Sequence, residues 1–298
     1  MAQKFEFVSY TGNVSFFGCK QTTDLNGVDV AVVGVPFDCG VSNRPGARFG
    51  PRAIREASLF VGKFHYPWNY EVTKKYNIID YGDIGYSLGN DPTTFMIEET
   101  YENAKKILAS GAKLLSIGGD HTIPYGLVRA ASEKYGQLAL LHFDSHEDTQ
   151  PGIFGGEIYH GSFAYDLQKE GCIDPSKSVQ VYIRTNMTEC GYNIIYANEA
   201  MELDPKALAE RIKKNVGEAP VYLTFDIDCL DPAYAPGTGT PVIGGPSTQE
   251  VRNVLFHLKG LNIVAADLVE VAPVYDPAEI TRLAAATIAK DLLYLMVD

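Results

Sequence analysis

Three short segments carry the residues most able to do chemistry: Gly118-Gly119-Asp120-His121, Asp144-Ser145-His146-Glu147-Asp148 and Asp226-Ile227-Asp228-Cys229-Leu230-Asp231-Pro232. Imidazole and carboxylate donors with no thiolate partner suit Mn2+, Fe2+, Co2+ or Ni2+ better than a structural zinc ion. A pair of hard divalent ions is the economical way to use so many of them. Strand side chains repeat with period two, so Asp144-x-His146-x-Asp148 places three ligating groups on one side of an extended segment, and Asp226-x-Asp228 does the same. Taken singly, such residues are helix caps and solvated turns. Taken together they are a site, because four of the six histidines (His121, His142, His146, His160) fall in one 40-residue window beside these carboxylates.

The elements that must position them follow from hydrophobic patterning. Continuous β-branched or Leu-rich runs predict strands at Val28–Val35, Asn77–Asp80, Lys113–Ile117, Leu138–Phe143, Ser178–Ile183, Pro220–Phe225 and Asn262–Ala266. Runs of this kind belong to strands covered on both faces in a parallel sheet. Helical spacing occupies Thr93–Ser110, Ile123–Lys134, Gly161–Lys169, Pro205–Lys214, Gln249–Lys259 and Pro277–Leu295. The alternation predicts one α/β domain spanning 1–298, a three-layer α/β/α arrangement with a mostly parallel sheet, with 1–27 as an N-terminal extension packing on the core. Ligands in such sheets bind beyond the carboxyl ends of the strands, and all three segments directly follow predicted strands.

Composition narrows the chemistry further. The 298 residues carry 25 Lys+Arg against 37 Asp+Glu, a net charge of −12. That balance repels phosphate backbones and anionic headgroups and favours cationic ligands, so neither nucleic acid nor membrane is an expected partner. No window approaches the length of a membrane span and the first residues lack a signal-peptide pattern, so the chain reads as cytoplasmic. Five widely spaced cysteines without a C-x-x-C pair read as reduced, mostly buried thiols. The glycines at 118, 119, 237 and 239 complete no phosphate-binding motif.

These residues resemble the ureohydrolase family of arginases, agmatinases and related amidino hydrolases over about residues 30 to 295. The resemblance is carried by Gly34-Val35-Pro36-Phe37-Asp38, Gly50-Pro51-Arg52-Ala53-Ile54-Arg55, Gly118-Gly119-Asp120-His121, the Asp-x-His-x-Asp segment and Thr224 to Pro232. Ala235 to Pro241 and Glu270-Val271-Ala272-Pro273 with Tyr275-Asp276 look most like agmatinase. The resemblance implies an arginase-like fold and a site for two Mn2+, with Ni2+ or Co2+ as substitutes. His121 and Asp148 would bind one ion, His146 and Asp228 the other, with Asp144 and Asp226 bridging. Glu270 aligns with the family glutamate that holds the guanidinium, and His160 with its proton-shuttling histidine. Homotrimers or homohexamers are the implied assemblies.

Charge counting shows why such a site suits a guanidinium. Four ligand carboxylates offset two divalent ions, a shared hydroxide leaves the cluster near −1, and Glu270 brings the pocket to about −2. Two metals also lower the pKa of a shared water, supplying hydroxide at neutral pH for a poorly electrophilic carbon. The remaining candidates read less sharply. His142 lies inside an apolar strand and reads as a buried, hydrogen-bonded core histidine beside the metals. His65 and His257 show no constellation. Asp120 orients a ligand or caps the next helix, and Asp231 shapes the turn after the ligands.

Departures from the family pattern fall on Ser145 and Glu147, where Ala and Thr are commoner, and on Thr149–Tyr159. The latter should form pocket wall. It holds no Asn or Ser of the sort arginases use on an α-carboxylate, which disfavours arginine. Glu157, and Glu147 if it points inward, would favour an ammonium tail. The expected activity is agmatine hydrolysis to putrescine and urea. The rivals are hydrolysis of 4-guanidinobutyrate or guanidine, and a catalytically silent subunit, which would not need the whole ligand set.

Overall fold

The computed structural model describes residues 14–62, 64–152 and 158–298. Its centre is one sheet of β1 (Lys20–Gln21), β2 (Val30–Val35), β3 (Ile78–Asp83), β4 (Lys113–Gly118), β5 (Ala139–Phe143), β6 (Val179–Ile183), β7 (Asn193–Tyr196), β8 (Val221–Asp226) and β9 (Ile263–Val269). The order across the sheet is β1-β3-β2-β4-β9-β8-β5-β6-β7, and every recorded pairing is parallel.

Side-chain alternation divides the core into two layers. Val30 and Val32 of β2 face one side and Ala31, Val33 and Val35 the other. On the first side lie α1 (Gly50–Ser58), α6 (Ala197–Glu202), α7 (Pro205–Val216), α8 (Thr248–His257) and α9 (Ile280–Val297), contributing Ile54, Leu208, Val251 and Leu292 among others. On the second lie α3 (Pro92–Ala109), α4 (Pro124–Tyr135) and α5 (Phe163–Lys169), with Ile107, Leu127 and Phe163. The short α2 (Val72–Lys75) joins the first layer through buried Val72. Both sheet faces are therefore dry, which is why the strands read as unbroken apolar runs.

Local chemistry sets the helix ends. Asp91 accepts from the Thr94 N–H ahead of α3, and Ser247 with Glu250 forms a reciprocal cap at α8. Among the described residues no helix is long and apolar enough to cross a membrane. The cysteines are free, as expected, but only Cys229 is buried. Cys39 is exposed, Cys19 and Cys172 are half-buried against the two core layers, and Cys190 is half-buried in the loop before β7. Of the N-terminal extension, residues 1–13 lie outside the described residues. Phe16 is fully buried, and its N–H donates to Asp80 Oδ2 at 2.8 Å.

Candidate metal centre and cleft

The neighbouring strands β2, β4, β9, β8, β5 and β6 all end at one edge of the sheet, so the loops following them meet there. This edge collects His121 after β4, Asp144, His146 and Asp148 after β5, Asp226 and Asp228 at the end of β8, and Glu270 after β9. Gly119 lets the β4 loop pass against the backbone at Val35 and Phe37; a Cβ there would collide with the Phe37 carbonyl. Asp148 (φ 49°), Tyr182 (φ 70°) and Glu270 (φ 64°) hold left-handed backbone at three of these strand ends. Such conformations cost energy in non-glycine residues and persist where surrounding structure imposes them.

Two donor groups share one residue. Nδ1 of His121 lies 2.9 Å from Asp148 Oδ2, 3.1 Å from Asp144 Oδ2 and 3.2 Å from Asp226 Oδ2. Nδ1 of His146 lies 3.2 Å from Asp228 Oδ2 and 3.4 Å from Asp144 Oδ1. Asp144 thus presents one oxygen to each group. Asp226 presents Oδ2 to His121 and accepts from the Asp228 N–H through Oδ1 at 2.7 Å. All six residues expected as ligands come together at this edge.

The His121 tautomer tests whether the cluster fits a metal. The Thr224 hydroxyl donates its only hydrogen to Asp267 at 2.6 Å, so at 2.7 Å from His121 Nε2 it accepts the ring N–H. In the neutral ring, Nδ1 therefore carries the lone pair. That atom is buried, makes no hydrogen bond and faces three carboxylate oxygens. Like-signed electron density converges on one point, an arrangement that a cation relieves. The electrostatics favour a positive charge at this point, a proton or a metal ion. Burial alone would lower the His121 pKa, and Asp144, Asp148 and Asp226 outweigh it and drive it well above the usual range. Burial and then repulsion from Asp228 and Asp144 push Asp226 well up. Burial opposes protonation of His146, yet Asp228 and Asp144 raise it to about 12. The donor set suits hard divalent ions.

Neighbouring groups hold these donors in place. His142, fully buried, donates from Nε2 to Asp144 Oδ2 at 2.6 Å and receives Gln180 Nε2 on Nδ1 at 2.9 Å, so both ring nitrogens are occupied. Ser145 donates to Asp228 Oδ1 at 2.6 Å. Asp120 ties the loop after β2 to the site, accepting from Gly40 N–H at 2.8 Å and from Thr122 N–H at 2.9 Å. Asp231 accepts from Ala233, Gly244 and Gly245, which makes it a turn residue.

A cleft of about 120 Å³ opens over the cluster, with Ser42, His146, Asp148, Gln150, Tyr159, His160, Met187, Asp226 and Thr240 in its wall. That is room for a small ligand, below the range of about 300–1,000 Å³ usual for drug-sized ligands. None of these residues is a lysine or arginine. Glu270 is buried beneath it. Oε1 accepts from His121 N–H at 2.9 Å and lies 3.1 Å from His160 Nδ1, while Oε2 is buried without a partner. Burial lowers the His160 pKa and Glu270 more than reverses this, to about 9. Opposing that rise, the Ser42 backbone N–H points at Nε2 from 3.0 Å. A protonated Nε2 would set two N–H groups against each other, so we assign the ring as neutral, with its hydrogen on Nδ1.

Two expectations change. Glu147 does not point into the cleft: its carboxylate accepts from Thr185 Oγ1 at 2.6 Å and from Met187 N–H at 3.1 Å, anchoring the loop that brings Met187 to the wall. His65, which shows no constellation in sequence, lies in a buried group with Asp291, Trp68 and Arg252. Asp291 and Arg252 lie 226 and 187 residues away along the chain, beyond any local pattern. Glu157 lies outside the described residues, as do its neighbours from 153. No local pattern marks Ser42 or Thr224 for these roles; their hydroxyls acquire them only through the fold.

Known proteins place the chain. The arginase family model matches residues 28–294. Agmatinase of Chromobacterium violaceum is 50% identical over 291 residues, covering 97% of this chain and 90% of that protein. Agmatinase of Neisseria meningitidis serogroup C is 48% identical over 270 residues, 90% of this chain and 87% of that protein. The crystal structure of a hypothetical agmatinase from Burkholderia thailandensis superposes with a TM-score of 0.93 at 46% identity, covering 96% of this chain and 91% of that one. Proclavaminate amidino hydrolase from Streptomyces clavuligerus gives 0.91 at 36%, covering 97% and 98%. This chain therefore belongs to the arginase family of ureohydrolases.

Proposed function

We propose that this ureohydrolase is an agmatinase, converting agmatine and water to putrescine and urea with two Mn2+. The observation that carries the reading is the buried His121 Nδ1 facing three carboxylate oxygens, one of them on a residue shared with a second histidine–aspartate group. In this reading His121, Asp144, His146, Asp148, Asp226 and Asp228 would hold the two ions, His121 with Asp148 on one side, His146 with Asp228 on the other, and Asp144 and Asp226 between them. When bound, the pair of ions lowers the pKa of a shared water and supplies hydroxide at neutral pH.

The chain's own residues do the rest. Glu270 Oε2, buried and unpaired, is the acceptor for a guanidinium N–H pair, and its carboxylate offsets the substrate charge. His160 moves the proton that lets the amine depart. The wall at Gln150, Tyr159 and Met187 carries no cationic side chain, which suits a methylene tail ending in an ammonium. We also propose a cytoplasmic setting, consistent with free cysteines, and a homotrimer or homohexamer.

Urea release from agmatine, arginine, guanidinobutyrate, guanidinopropionate and guanidine, after loading with Mn2+ or Ni2+, tests the assignment. Agmatine is expected to give the highest kcat/KM. A higher value for guanidinobutyrate or guanidine overturns agmatinase while leaving the metal-dependent hydrolase, and no urea from any compound supports the silent subunit.

A further inference from the structure

His160 has no ring nitrogen free for the substrate. Nδ1 is 3.1 Å from Glu270 Oε1, and Nε2 is shared by the Ser42 N–H at 3.0 Å and the Ser42 hydroxyl at 2.8 Å. A backbone N–H only donates, so Nε2 holds a lone pair and the ring hydrogen sits on Nδ1, against the carboxylate. An amide cannot relay a proton, whereas a hydroxyl can accept one while giving another. Ser42 is exposed, on the loop after β2, and its side chain is part of the cleft wall.

We propose that the Ser42 hydroxyl is the proton relay between His160 and the reacting atoms, and that the Ser42 backbone N–H sets the His160 tautomer that makes the relay work. This rests on the agmatinase reading. The overall change, guanidinium plus water to urea plus protonated amine, moves both water hydrogens to the departing nitrogen. One goes to solvent as the attacking hydroxide forms and is regained from solvent by the freed amine; the other passes from the attacking oxygen to Ser42 Oγ as the Oγ hydrogen moves to His160 Nε2. The resulting imidazolium is held by Glu270 through Nδ1–H, while its Nε2–H opposes the Ser42 N–H, which makes it short-lived and drives the proton back out. The proton then returns by the same path to the amine nitrogen, which leaves with the C–N electron pair. Ser42 and His160 finish as they began, and no further reactant is needed.

Ser42→Ala removes the hydroxyl and keeps the N–H; Ser42→Thr keeps both. On Mn2+-loaded protein, Ser42→Ala is expected to lower kcat for agmatine at least about tenfold, toward the general acid–base range, with KM changed less than about threefold. Ser42→Thr should recover kcat to within about threefold of the native value. Because the groups act in series, Ser42→Ala combined with His160→Asn should be no slower than His160→Asn alone. NMR of 15N-histidine-labelled, metal-free protein, with His160 identified by its loss in His160→Asn, should show the neutral Nδ1–H tautomer. A Ser42→Ala kcat within about threefold of native, losses that multiply in the double variant, or an Nε2–H tautomer overturns the relay. Absence of urea release from the native enzyme overturns the functional reading instead, and the NMR arm then still decides the hydrogen-bond arrangement.

Discussion

Thr224 selects the tautomer of the neutral His121 ring. Its hydroxyl, 2.7 Å from Nε2, is committed as a donor to Asp267, so it accepts the ring hydrogen and leaves Nδ1 bare. Asp267 is itself buried and held by the Tyr222 hydroxyl at 2.5 Å. The chain of contacts converts a strand residue in the core into a control on a donor atom at the sheet edge.

Thr224→Val removes this acceptor without changing side-chain shape. Metal affinity should fall about 10- to 100-fold, the usual cost of losing a group that orients a ligand. Thr224→Ser should stay within a few-fold of native. Chelator competition on the purified protein measures both, and native affinity in Thr224→Val would show that the tautomer is not set there.

Asp144 gives one oxygen to each donor group, whereas Asp148 belongs only to the group of His121. Asp144→Ala should therefore lose both ions and Asp148→Ala chiefly one. Asp226→Ala is expected to behave like Asp144→Ala if it spans the pair. Metal-to-protein ratios from mass spectrometry decide this, and equal metal content with near-native activity in all three refutes the assignment.

Arg55 and Asp80 form a buried ion pair that stabilises the fold away from the cleft. Arg55 Nε and Nη2 lie 2.8 and 3.0 Å from Asp80, which also accepts the Phe16 N–H. Asp80→Ala strands a buried guanidinium and should cost about 3–5 kcal/mol in urea denaturation. A loss below about 1 kcal/mol would show that Asp83, 2.6 Å from Nη1, satisfies Arg55 alone.

The cleft should also discriminate by tail charge. Glu270 and the acidic cluster favour the second positive charge of agmatine, and the wall residues described include no lysine or arginine for a carboxylate. Guanidinobutyrate should fall at least about a hundredfold below agmatine in kcat/KM, since an unmatched buried charge costs several kcal/mol. A ratio below about tenfold on fully metallated enzyme would locate the specificity outside this cleft.

The sequence alone determined the parallel α/β architecture, because strands dry on both faces must be apolar at every position. Lys113–Ile117, Pro220–Phe225 and Asn262–Ala266 match β4, β8 and β9 to within a few residues. It also determined which residues gather, because parallel strands deliver their following loops to one edge and the ligand types sit at those junctions. The edge strands β1 and β7, two and four residues long, escaped it. So did α1, whose apolar face packs on α9 from the far end of the chain. Only the tertiary structure decided the direction and protonation of each side chain. Glu147 turned from the cleft to Thr185 and Met187, His65 found Asp291 across the fold, and Thr224 and Ser42 set the tautomers of His121 and His160. A residue's type and strand period fix which face it occupies, whereas its hydrogen-bond partners come from whichever distant segments the sheet order places beside it.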